Sequence, residues 1–272
     1  MRGATLARWT ALALILAIVF VPMYWILATS FKTGRQILLS ESVYVPRPFT
    51  IDNYVYLFEE SRFALWIRNS AITALASTVL SLAIGTAGAY SLTRLSFPGR
   101  RTFGAIVLIT YLVPPGLMFI PLYRTFIGLG YTNSLGTLIL AYPTFLVPFV
   151  TWLLMGFFRS IPRELEEAAL VDGATRLQTM VRVVLPLAAP GLLAAGLFCF
   201  TLSWNEFLYA LIFIADDSLK TLPVGLSEFV SDFAFWGQLM AAAGLASLPV
   251  IVVYIYLHKY MVQGLTAGAV KG

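Results

Sequence analysis

The sequence holds one cysteine, Cys199, and one histidine, His258, in 272 residues. No intramolecular disulfide can form, and no cysteine-built zinc or iron–sulfur centre can be assembled within the chain. A catalytic triad with a histidine base and a site built from several histidines lack their raw materials. Charge is scarce as well: 11% of the residues are charged and 59% are hydrophobic, against roughly 25% and 45–50% in soluble domains. That composition excludes an ordinary soluble enzyme. No G-x-x-x-x-G-K-[ST] run is present to cradle nucleotide phosphates.

What the chain has instead is long apolar runs. A helix needs about 20 apolar residues to cross the hydrocarbon core, where unpaired backbone polar groups are not tolerated. Apolar stretches with no charge, or with Glu206 alone, predict six spans, at about 9–31, 69–93, 102–123, 136–158, 187–214 and 233–258. The whole chain, 1–272, then reads as one all-α integral membrane domain. The first stretch exceeds the roughly 7–15-residue apolar region of a secretory signal, so it reads as a span.

Six spans place both termini on one side, and the basic residues choose it. With the ends inside, eleven of the 18 lysines and arginines face the cytoplasm, among them Arg94, Arg100, Arg101, Arg159, Arg163, Arg176 and Arg182. The positive-inside rule favours that orientation. The +5 net charge is thus a matter of topology and calls for no nucleic-acid partner. The lipid bilayer is the partner it implies.

One cytoplasmic segment, 160–186, is too well patterned for a linker. Ser160 and Pro162 are helix-start residues, followed by Glu164, Glu166 and Glu167 where the helix dipole favours acids. Asp172-Gly173 ends that helix, since glycine accepts the left-handed conformation. Thr175 can cap a second helix, with Leu177, Met180, Val181 and Val184 on one apolar face and Pro186 as its break. By pattern alone this helix–turn–helix is either a rigid bracket that transmits force to two spans or an amphipathic cover over the inner mouth.

Glu167-Ala168-Ala169, then Gly173, Val183 and Leu185-Pro186, resembles the EAA loop, E-A-A-x3-G-x9-I-x-L-P, of membrane subunits of bacterial ABC importers; only Val183 departs from it. The resemblance extends to the carbohydrate-uptake branch and its maltose-type second permeases. It is carried by Phe49-Thr-Ile-Asp-Asn-Tyr54, Phe97-Pro-Gly99, Asp172-Gly-Ala-Thr175, Ser203-Trp-Asn-Glu-Phe207 and the tail Gln263-Gly-Leu-Thr-Ala-Gly-Ala-Val-Lys-Gly272.

The resemblance implies a permease in the bacterial inner membrane, paired with a second permease, two cytoplasmic ATPase subunits and an extracytoplasmic binding protein that delivers carbohydrate. ATP and Mg would bind the ATPases, with no cofactor in this chain. Glu164, Glu167, Ala168, Ala169, Asp172, Gly173, Leu185 and Pro186 would couple to the ATPase. Gln263, Gly264, Thr266 and Lys271, in the cytoplasmic tail 259–272, would reach between the two ATPase subunits. Import of a polyol or a glycerol phosphate is an alternative within the branch, and an ion-coupled secondary transporter a more distant one.

Trp204, Asn205, Glu206 and Tyr209 admit two readings. Aromatic faces and amides bind sugars, which suggests a substrate passage; an interfacial aromatic belt explains the same residues. Glu206 is the one acid inside a predicted span, open to an ion relay, a passage role or structural hydrogen bonding. Gly191-x-x-x-Ala195 permits close helix contact. Pro114-Pro115 interrupts the third span and is either a hinge or a plain kink.

Overall fold

The computed structural model describes residues 2–38, 44–230 and 232–269, with side chains described for 8–38, 44–230 and 232–258. Among the described residues every regular element is helical: α1 (Arg2–Ser30), α2 (Gly34–Leu38), α3 (Asp52–Glu59), α4 (Phe63–Arg94), α5 (Arg100–Leu112), α6 (Pro115–Gly128), α7 (Leu135–Ala141), α8 (Pro143–Ser160), α9 (Glu164–Val171), α10 (Arg176–Thr179), α11 (Leu185–Leu187), α12 (Ala189–Trp204), α13 (Leu208–Phe213), α14 (Leu222–Ser227) and α15 (Trp236–Ala269). Met180–Val184, between α10 and α11, is π-helical.

Arg8–Ser30, Phe63–Arg94, Leu135–Ser160 and Phe233–His258 are each long and apolar enough to cross a membrane. Two bent pairs, α5 with α6 at 102° and Arg176–Leu187 with α12 at 80°, bring the number to six if each is one span. The third apolar stretch is therefore not one straight helix. Val113 and Pro114 are extended, with ψ of 123° and 127°, because proline lacks an N–H and excludes the residue before it from the helical region.

The fifth stretch differs at both ends from the sequence expectation. The helix does not break at Pro186. Its wide turn lets the Leu185 N–H reach the Met180 carbonyl five residues back, and the chain turns away only at Ala188, where ψ is 4°. The same wide turn undoes the expected apolar stripe: Leu177 and Val181 are exposed, whereas Thr179 and Val184 are buried. At the far end α12 stops at Trp204, and α13 restarts the helix at Leu208.

The helices fall in two compact units, residues 1–67 with 222–248 and residues 68–221 with 249–272. In the first, buried Asn53 donates through Nδ2 to the carbonyls of Ser30 and Lys32, each at 2.9 Å, and so closes the C-terminal end of α1. Trp66 and Tyr56 gather around Phe229. Helix α1 exposes large apolar side chains from Trp9 to Leu27, as a helix does when its surroundings are lipid or another chain.

The second unit is built on α8, whose Leu146, Val150, Leu154 and Phe158 recur every four residues and are fully buried. A Cβ on Gly191 would stand 2.5 Å from the Phe157 ring, so only a residue without a side chain lets α12 approach there. The ends of this unit are tied separately. At the N-terminal part of α4, Asn69 donates to the carbonyls of Ser218 and Lys220, and Asn133 accepts from the N–H groups of Ala215 and Asp216. At the other end Arg94 meets α9. Helix α4 has 32 residues, about 48 Å at 1.5 Å per residue, so segment 215–220 and the α9 loop stand at opposite ends.

Candidate functional site

Helix α9 starts with Glu164, Glu166 and Glu167 in its first turn, where the unsatisfied N–H groups and the dipole stabilise carboxylates. Its faces differ. Glu164, Glu167, Ala168, Val171 and Asp172 are exposed, Ala169 is half-buried, and Glu166 is 7% exposed. Among the described residues Glu164 and Glu167 take part in no ion pair or side-chain hydrogen bond. The exposed stripe is mixed, since Leu165 and Val171 are also largely uncovered, Val171 at 87%.

The turn after α9 depends on Gly173, whose φ is +86°, a conformation that costs a residue with a Cβ about 1–2 kcal/mol. Thr175 then opens α10 with a reciprocal cap: its Oγ1 accepts from the Gln178 N–H at 3.3 Å, and Gln178 Oε1 accepts from the Thr175 N–H at 2.8 Å. The expected capping role of Thr175 is present, with the glutamine completing it. Leu185 is half-buried and Pro186 exposed.

Behind the exposed stripe lies a cluster that sequence reading did not single out. Glu166 pairs with Arg94 at the end of α4, both side chains being less than a tenth exposed. Tyr90 donates its hydroxyl to Glu166 Oε2 at 3.3 Å. Arg94 also donates to the Ile161 carbonyl at 2.8 Å, and Arg163 donates back to the Thr93 carbonyl at 3.1 Å. A signal for Glu166 was available: at about 100° per residue it stands some 200° from Glu164, on the opposite face. Its partner was not legible, being 72 positions away in the chain.

The backbone of α15 continues as helix through Gln263, Gly264 and Thr266, while Lys271 lies outside the described residues. In segment 204–209 the residues separate. Trp204 is 3% exposed and stacks on Phe200 with ring centroids 5.7 Å apart. Asn205 turns back to its own helix, donating to the Thr201 carbonyl at 2.8 Å. Glu206 accepts from the N–H groups of Tyr209 and Ala210, one at each carboxylate oxygen, at 2.8 and 3.1 Å. It thereby anchors the first turn of α13. Tyr209 is 1% exposed and donates to the Pro115 carbonyl. Glu206 and Tyr209 also border a cavity of about 620 Å³ with Thr110, Thr144, Phe145 and Phe149, a size within the range of small-molecule sites. Among the described residues no group of three or more histidine, cysteine or acidic side chains is placed to hold a metal ion.

The family described as the binding-protein-dependent transport system inner membrane component matches residues 80–267, and the chain belongs to it. It is 38% identical over 264 residues to the diacetylchitobiose uptake system permease protein DasC of Streptomyces coelicolor, covering 97% of this chain and 95% of that one. Identity is 36% over 269 residues to the trehalose transport system permease protein SugB of Mycobacterium tuberculosis, covering 97% of each. The fold matches that of a chain in a bacterial ABC transporter involved in the import of the acidic polysaccharide alginate, with TM-score 0.84, 24% identity, and coverage of 95% and 96%. The chain is thus a multi-pass membrane permease subunit and not an enzyme.

Proposed function

We propose that this chain is one of two permeases in an ATP-driven importer of a sugar or oligosaccharide, and that α9 is its coupling element toward a cytoplasmic ATPase. The observation that carries the reading is the exposed stripe of α9, with Glu164, Glu167, Ala168 and Asp172 uncovered and the first two carboxylates without an ion pair or side-chain hydrogen bond among the described residues. A carboxylate left free at a helix start suits a basic partner. The EAA pattern places Gly173, Leu185 and Pro186 in the same loop, and the relatives' names point to carbohydrates.

In this reading both termini and α9 face the cytoplasm, ATP and Mg bind two ATPase subunits, and a binding protein delivers substrate at the opposite end, near 215–220. Closure of the ATPases would move α9, and the spans joined to it would alternate the access of a central path. Gln263, Gly264, Thr266 and Lys271 would approach the ATPases. The cavity beside Glu206 and Tyr209 is offered as part of the passage on this chain's side, with Trp204, Asn205, Glu206 and Tyr209 holding the shape of that segment through their contacts within the chain.

The test is to tag the chain in its host, extract it in mild detergent, and assay the co-purifying subunits with a panel of sugar-loaded binding proteins. Recovery of a second permease and an ATPase stimulated by one loaded protein is expected and names the substrate. Stimulation only by a binding protein loaded with a polyol or glycerol phosphate would replace the sugar assignment. Transport by the chain alone on an ion gradient would overturn the reading.

A further inference from the structure

Adjacent glutamates in α9 have opposite fates, and the buried one defines a second connection of the coupling loop. Helix α9 is joined covalently to α8 through Ile161–Arg163 and to α10 through Asp172–Thr175. Two covalent connections alone leave the tilt of this eight-residue helix to be decided by what it packs against. A helix that tilts when pushed absorbs displacement instead of passing it on. We propose that Arg94, Tyr90 and Glu166 form a buried brace that stops this tilt and carries displacement of α9 into α4, a span to which the loop has no covalent connection.

The geometry has the properties a brace requires. It is reciprocal: Arg94 of α4 forms an ion pair with Glu166 and donates to the Ile161 carbonyl, while Arg163 beside α9 donates to the Thr93 carbonyl of α4. It attaches at more than one point along α9's entry, at 161, 163 and 166, which resists rotation as well as separation. Both guanidinium groups approach carbonyls near helix C-termini, where positive charge is favoured. Burial removes the screening that weakens exposed ion pairs, so parting Arg94 from Glu166 would leave two uncompensated charges. Tyr90 lies one helical turn before Arg94, and its ring meets that of Phe158 edge-on at 6.4 Å, so the brace is seated against α8 as well. The 32 residues of α4 then extend the displacement toward the opposite end of the unit.

This inference rests on the coupling role proposed for α9, and its test separates the two. Wild-type and variant importers are reconstituted in vesicles with their ATPase and binding protein, and uptake is counted per ATP hydrolysed. Single charge removals such as Glu166→Gln strand a buried partner and risk misfolding, so the informative variant is Arg94→Met with Glu166→Leu, which replaces the pair by apolar groups of similar size. The ATPase is expected to co-purify and turn over, while uptake per ATP falls about tenfold, within the usual range of coupling between sites. The exchanged pair Arg94→Glu with Glu166→Arg is expected to recover most of the loss, and Tyr90→Phe, which deletes one hydroxyl, to lower the ratio about twofold, the smaller effect of one neutral donor.

Unchanged uptake per ATP in both the apolar pair and Tyr90→Phe would overturn the brace and leave the coupling role standing. So would a fully assembled exchanged pair with no recovery. Absence of ATPase from the wild-type preparation would overturn the coupling role itself.

Discussion

The α9 loop and segment 204–209 both interrupt the membrane helices, and both carry glutamate among small or aromatic neighbours, yet they spend their polar groups in opposite ways. Glu206 gives each carboxylate oxygen to a backbone N–H of α13, and Asn205 and Tyr209 are likewise committed to carbonyls of this chain. In α9, Glu166 is committed to α4 while Glu164 and Glu167 are exposed and their carboxylates take no partner among the described residues. A segment that meets its own hydrogen-bonding demand is a structural break in a span. One that leaves charge uncommitted on an ordered helix has been left incomplete for another molecule.

The largest effect that sharpens this contrast is expected from Glu167→Lys. The substitution sits on the exposed face, so the chain should still reach the membrane in normal amount. Placing a cation against the basic partner expected there costs several kcal/mol, and uptake should fall by about a hundredfold with loss of ATPase co-purification. Normal uptake would remove the reason for treating the two segments differently.

Next comes Gly173→Pro. The ring fixes φ near −65°, whereas Gly173 stands at +86°, so the angle between α9 and α10 must change. Uptake is expected to fall about tenfold while membrane abundance stays near normal, a change of about 1.4 kcal/mol in coupling. Immunoblotting of membranes beside the uptake assay checks both halves.

Glu206→Ala tests the other side of the comparison. It removes both acceptors that hold the start of α13, at a cost of about 1–2 kcal/mol by analogy with helix caps. The expected result is a lower melting temperature of the purified complex and less chain in the membrane, with transport per folded chain unchanged. A stable chain that no longer transports would mean that Glu206 meets the substrate and that 204–209 belongs with α9 as a functional segment.

What the sequence made legible follows the physics of each signal. Apolar runs bounded by arginine and lysine reveal an all-α membrane protein, because the bilayer enforces length and composition. They are blind to direction: the 102° turn at Val113-Pro114 and the 80° turn at Ala188 lie inside runs that are apolar on both sides. Pro186 misled in the opposite sense, since one wide turn carries the helix past it. The exposed glutamates of α9 are readable from motif and spacing, because an amphipathic helix advertises its faces. The Arg94–Glu166 pair is a product of tertiary packing, and nothing local distinguishes that arginine from the others counted toward the cytoplasmic side.

The smallest expected effect comes from Thr175→Ala. The threonine and Gln178 cap each other's backbone at the start of α10, and losing the hydroxyl costs about 1 kcal/mol in a typical helix. Here α10 continues through the π-turn into α11 and is held by buried Thr179 and Val184, so packing at 179–184 should retain the second helix even when its cap is gone. The expected result is a melting temperature lower by a few degrees and uptake within about twofold of wild type, as for other losses near 1 kcal/mol. A much larger loss of uptake at unchanged stability would show that the geometry of the turn, beyond its mere existence, is what the partner reads; the unspent surface of the loop would then extend past α9 to the first turn of α10.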